Sequence, residues 1–252
     1  MANSSSQMRE VAAVDSDRRA ARYAGVLFIA ATALSIAGST LSQPALDAPD
    51  HLAGFASYPG QVAGAALLSF LAAAASAGIA IAMYPVLMRS NAALAMGSVV
   101  FRSIEAVMYV VAAADLLAIL AMSQQLATAG EGERASFQVI GDSLLAVREE
   151  AVLMGVIAFS VGAFLYYYVF YRSRLMPRWL SGWGLAAIVL AAVACVSALF
   201  SQRPLTSYAI VMIPIAVQEM VLAVWLIARG FDAEVLRAAP GRRSELAAAQ
   251  RV

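Results

Sequence analysis

The chain has 252 residues, of which 62% are hydrophobic and 13% charged, with a formal net charge of +1 and a mean hydropathy of +0.77. Soluble domains carry about 25% charged residues, so a surface this poor in charge fits a chain whose main solvent is lipid. A near-neutral charge gives no field for nucleic acid. The single histidine, His51, and single cysteine, Cys195, exclude Cys/His zinc sites, Ser-His-Asp or Cys-His catalysis and an intrachain disulfide.

In chain order, residues 1–22 are polar, carry Arg9, Arg18, Arg19 and Arg22, and are expected to form a solvated, disordered cytoplasmic lead-in. The first apolar run, 23–41, exceeds the usual signal-peptide core and precedes several similar runs, so it reads as a retained helix. A loop at 42–58 carries prolines, acids and His51, expected to be solvent-exposed. The second run, 60–88, holds Gly60-x-x-x-Gly64, a spacing that permits close helix contact. After a turn at Arg89–Asn91 comes the third run, 92–122. The polar link 123–147 ends in a stretch, 137–147, that could lie amphipathically on the membrane. The fourth run, 151–171, opens at Arg148, Glu149 and Glu150, acids that suit a first helical turn, and closes on Tyr166, Tyr167, Tyr168 and Tyr171. The fifth and sixth runs, 179–200 and 205–228, follow, and a basic tail spans 229–252.

Crossing about 30 Å of hydrocarbon takes about 20 helical residues, and each run supplies them. None alternates with period two, which disfavours a β-barrel. The expected fold is therefore all-α: a polytopic membrane bundle of six transmembrane helices over 23–228. With both termini in the cytoplasm, the outer segments keep only Arg134, Arg148 and Arg203 while the other loop and terminal arginines fall inside, as the positive-inside rule requires. The expected location is a bacterial cytoplasmic membrane. The aromatic residues Tyr166–Tyr171, Trp179 and Trp183 then mark the inner interface.

Charges at membrane depth are costly, and here they are few. Arg102 and Glu105 stand at i and i+3 on one helix face, with Arg102 about 16 Å from the inner end of its run. Tyr109 continues that face by one turn, and Glu219, bordered by Gln218, lies at a similar depth in the sixth run. Arg102, Glu105, Tyr109, Gln218 and Glu219 thus form the candidate polar site, an interhelical cluster joining the third and sixth helices. If all three charged groups ionise, one negative charge is in excess. Pro214 removes a helical hydrogen bond five residues before Glu219. Asp115, Arg148, Glu149 and Glu150 are secondary candidates nearer the outer face. Nothing in the pattern calls for a cofactor or metal.

Several segments carry a family likeness: Tyr84–Leu87 (YPVL), Phe101–Ala106 (FRSIEA), Tyr171–Gly184 (YRSRLMPRWLSGWG) and Ile213–Phe231 (IPIAVQEMVLAVWLIARGF). From Tyr23 to Asp232 the chain resembles the bacterial membrane family called domain of unknown function 4386. The resemblance implies a six-helix integral membrane protein and no established activity.

The expected function is a non-catalytic membrane partner or scaffold whose Arg-Glu-Glu cluster locks the third and sixth helices. The alternative is a small-molecule or proton-linked transporter or binding protein that uses the cluster. An intramembrane enzyme acting on a hydrophobic substrate ranks below both, since no paired DxxxD repeat supports it. The expected partners are the lipid bilayer and a small hydrophobic or proton-coupled ligand. A wet cavity touching Arg102 and Glu219 favours the alternative, and a dry cluster favours the lock.

Overall fold

The computed structural model describes residues 2–126 and 133–238, with side chains described from residue 14 onward. The described residues form helices and turns without a strand: α1 (Ala2–Leu46), α2 (His51–Ser57), α3 (Pro59–Leu87), α4 (Ala92–Leu126), α5 (Arg134–Ser173), α6 (Arg178–Ser201), a 3₁₀ turn (Leu205–Tyr208), α7 (Ala209–Ala228) and α8 (Ala233–Ala238). Six of the helical segments are long and apolar enough to cross a membrane. Large apolar side chains such as Phe200 (82% exposed) and Ile210 (80%) point outward, which only a lipid surround makes favourable.

Helix ends follow local chemistry. Asp50 caps α2 by accepting from Ala53 N at 3.1 Å, and Asn91 Oδ1 does the same for Leu94 N at 3.0 Å at the start of α4. Pro59 sits in the first turn of α3, where its missing N–H costs nothing. Left-handed residues end α5 at Arg174 (φ 61°) and α6 at Gln202 (φ 53°), and Gly230 (φ 73°) turns the chain out of α7.

The spanning helices close into a ring. α1 packs on α3, α3 on α4, α4 on α5, α5 on α6, α6 on α7, and α7 returns to α1. α4 and α7 therefore face one another across the ring, and their main packing neighbours lie on either side. The largest core cluster fills the half of the bundle nearer the termini, around Phe28, Met83, Tyr166, Tyr167 and Phe170. A second cluster, built on Leu52, Phe55, Leu116 and Ile119, closes the opposite end.

Four expectations are corrected. The lead-in is not a separate disordered segment, because α1 continues through it and buries Ala21 and Asp17. Asp17 accepts an ion-paired hydrogen bond from Arg89 Nη1 at 2.8 Å, tying α1 to the α3–α4 turn. The 137–147 stretch does not lie on a membrane surface. It is the first part of α5, whose 40 residues would extend about 60 Å at about 1.5 Å per residue, twice the roughly 30 Å of hydrocarbon. With the 35-residue α4 it forms a helical extension at the end opposite the termini. Phe137, Leu144 and Leu145 pack there on the second cluster, under α2. His51 is half-buried in α2 rather than free in a loop, and its Nδ1 has no partner. Gly60-x-x-x-Gly64 makes no tight helix contact, since a Cβ on Gly60 would meet nothing within 4 Å. Tail residues 239–252, with Arg242, Arg243 and Arg251, lie outside the described residues.

The Asp17–Arg89 pair is largely shielded, with side-chain exposures of 7% and 22%. Arg89→Ala should lower stability in detergent by about 1–3 kcal/mol, between the values for exposed and buried pairs. In a double-mutant cycle with Asp17→Asn, the paired variant should lose no more than the worse single one; additive losses would show that the contact carries no coupling.

Candidate functional site

Apolar packing brings α4 against α5 through glycines. A Cβ on Gly162 would stand 3.1 Å from Arg102 Cγ and 3.2 Å from Arg102 N, and one on Gly155 would stand 2.9 Å from the Tyr109 ring. Arg102 and Tyr109 are seven residues apart on α4, as are Gly155 and Gly162 on antiparallel α5. Two turns of helix thus match two bare patches with two large side chains.

Arg102 and Glu105 are both sealed, at 3% and 4% exposure. Arg102 Nη1 lies 3.1 Å from Glu105 Oε2, and Ser76 Oγ on α3 donates to Glu105 Oε1 at 2.9 Å. The Arg102 guanidinium sits 4.8 Å from the centre of the Phe159 ring, a cation–π contact with α5. Its Nε has no acceptor, and the Nη1–Oε2 contact is an ion pair without hydrogen-bond geometry. On α7, Glu219 is half-buried and accepts from Tyr166 Oη at 3.3 Å. Arg102 lies within electrostatic reach of Glu105, Tyr166, Glu219 and Tyr109.

The structure therefore gathers Arg102, Glu105 and Glu219 in one region, but not by packing the third span on the sixth. α3 and α5 mediate. Ser76 holds Glu105 from one side, and Tyr166 holds Glu219 from the other.

Gln218 plays a different part from its neighbour. It is fully buried, accepts from Tyr167 Oη, and donates through Nε2 to the Leu180 carbonyl at 3.1 Å. Those bonds tie α5, α6 and α7 together. Tyr166 and Tyr167 are fully buried and not part of an interfacial belt, whereas Tyr168 and Tyr171 are exposed. Consecutive residues on a helix turn by about 100°, so a run of three tyrosines has to send some inward. That arithmetic could have found them. Ser76 offered no comparable signal within its alanine-rich helix.

A cavity of about 370 Å³ opens toward the end opposite the termini, between α1, α3, α4, α5 and the 3₁₀ turn. Its walls are mostly apolar, from Ala72, Ala112, Leu116 and Val152, with the hydroxyls of Ser35, Ser39, Ser69 and Tyr109 among them and Arg148 and Glu149 toward the outer end. Arg102, Glu105 and Glu219 do not line it. Tyr109 nevertheless lies within electrostatic reach of Arg102, Glu105 and Glu219, so it stands between the cavity and the cluster. Arg148, Glu149 and Glu150 do not cap a helix, since α5 begins well upstream at Arg134. Glu150 is exposed and away from the cavity. Asp115 is half-buried within electrostatic reach of Arg148, and its Oδ2 has no partner.

Six lipid-length apolar helices define a multi-pass helical membrane protein. The chain belongs to the family described as Domain of unknown function (DUF4386), which matches residues 23–230. No curated protein and no solved structure matches it.

Gly162→Leu should force α4 and α5 apart at Arg102 and cost about 1–3 kcal/mol, the usual range for overpacking. Gly60→Leu, with open space around it, serves as the control. Equal melting temperatures for the two variants in detergent would show that the glycine-mediated contact is not needed.

Proposed function

We propose that this protein sits in a bacterial cytoplasmic membrane with both termini inside and, without catalysing a reaction, binds a small molecule in the cavity at its outer end. The arginine bias supports the orientation: the turns at Arg89 and at Arg172–Arg178, and the Arg229 end of α7, share one side, against Arg134, Arg148 and Arg203 on the other.

The cavity is the observation that carries the binding role. Its volume of about 370 Å³ falls within the range of about 300–1,000 Å³ typical of small-molecule sites. Serine and tyrosine hydroxyls inside can both donate and accept, while Arg148 and Glu149 toward the outer end offer one charge of each sign. Such a lining suits a neutral or zwitterionic molecule, with Arg148 for an acidic group and Glu149 for an amine. Arg102, Glu105 and Glu219 serve this reading as a polar joint beneath the site, which supports a lock between helices rather than a ligand contact.

A second reading, proton-linked transport, draws on Tyr109. A molecule beside Tyr109 in the cavity would sit one side chain from the buried acids, and Pro214 in α7 gives that helix a missing hydrogen bond near Glu219.

The test uses the natural scarcity of thiols. In a Cys195→Ser background, Ser69→Cys should react with a small, charged, membrane-impermeant methanethiosulfonate added to the outer side. Native mass spectrometry of the wild-type protein should show a retained small molecule that Ser69→Trp removes. An unreactive Ser69→Cys with no retained mass would overturn the binding role. Labelling that changes with pH, and loses that change in Glu219→Gln, would favour transport; a pH-independent rate once thiol ionisation is corrected for would favour binding alone.

A further inference from the structure

A second cavity, of about 510 Å³, lies at the end of the bundle nearer the termini, between the α5–α6 turn and the end of α7. Arg174, Arg178 and Arg229 line it, against the single acid Asp232. That acid is already engaged: its Oδ1 accepts from Glu234 N at 2.9 Å and Val235 N at 3.1 Å, capping α8. Its backbone N donates to the Leu175 carbonyl at 3.0 Å, which pins the cleft's two walls together. None of the three arginines has a carboxylate within ion-pair distance among the described residues. Among the described residues, three guanidiniums thus share one cleft with no carboxylate paired to them.

Their surroundings set the depth of that cleft. Arg178 lies over the Tyr171 ring at 5.6 Å, and Arg229 over the Trp225 ring at 5.5 Å. Trp179 meets Trp225 edge-on at 6.2 Å. Tryptophan and tyrosine gather where hydrocarbon meets headgroups, so guanidiniums stacked on such rings stand at phosphate height. Farther along the span, Val224 and Val217, seven residues apart on α7, form an exposed apolar track on the outer face of that helix. The left-handed turn at Arg174 and the positive φ of Gly230 fix the two walls.

The geometry points to a binding site for an anionic glycerophospholipid, its phosphate held by Arg174, Arg178 and Arg229 and its glycerol and acyl chain lying against Trp179, Trp225 and the outer face of α7. Arginine suits this task because its planar fork can hold two phosphate oxygens at once. A free phosphate would use the guanidiniums but not the aromatic rings or the apolar track.

The test is native mass spectrometry of the full chain in detergent, titrated with phosphatidylglycerol or with phosphatidylcholine of the same acyl chains. The wild-type protein should retain phosphatidylglycerol in preference. The variant Arg174→Gln/Arg178→Gln/Arg229→Gln should bind it at least tenfold more weakly, on the order expected for several arginines at a charged surface. Arg178→Gln alone should weaken it by a few-fold and Arg178→Lys by less. Arg203→Gln, at the other end, should leave it unchanged. Excess inorganic phosphate should not displace the lipid. Equal retention of both lipids, or unchanged binding in both the triple and the Arg178→Gln variants, overturns the site; displacement by phosphate alone reassigns it to a free anion and overturns the lipid assignment.

Discussion

A guanidinium and a carboxylate sealed inside a lipid-embedded ring have each other and few other partners. Arg102 and Glu105 meet at 3.1 Å, with Ser76 on one carboxylate oxygen and Phe159 beneath the guanidinium. An unpaired charge at this depth costs several kcal/mol. The helices that supply partners, α3 and α5, are therefore held in register with α4. Glycines at 155 and 162 are the matching requirement on α5, for without bare backbone there the two large side chains could not enter.

The far side of the ring is organised by the same logic. Gln218 and Glu219 are adjacent on α7 and are met by adjacent tyrosines on α5, Tyr167 and Tyr166 respectively. The amide, with every bond made within the protein, works as a clasp. The carboxylate is half-buried and faces Arg102 across the bundle. A few polar groups thus sit within a mostly apolar core, while the outer apolar surface is turned to lipid. Tyr109 lines the cavity and lies within electrostatic reach of this centre, so the two are adjacent.

Much of this was legible in the sequence. Run length and apolarity alone marked the six spans, because crossing hydrocarbon imposes a fixed number of residues. Rarity marked Arg102, Glu105 and Glu219, since each stands out from its apolar surroundings. The partners were hidden for the opposite reason: Ser76 and Gly162 are small residues in helices full of small residues. Tyr166 and Tyr167 resembled an interfacial belt, and only the rotation of a helix separates them from Tyr168. The stretch 137–147 reads as an amphipathic piece because Phe137, Leu144 and Leu145 recur at a helical spacing, but its continuity with the fourth span is hidden by the polar residues around Arg148. The cavity could not be read at all, as its lining comes from helices far apart in the chain.

The polar joint is tested most directly by a double-mutant cycle on Arg102 and Glu105, measured as reversible unfolding in mixed micelles. Arg102→Met and Glu105→Met should each cost about 3–5 kcal/mol, because each strands a buried partner. The double variant, which removes both charges, should cost no more than either single change. Losses that simply add would contradict the joint, and the pair would then be two independent polar residues and not the contact that sets the ring.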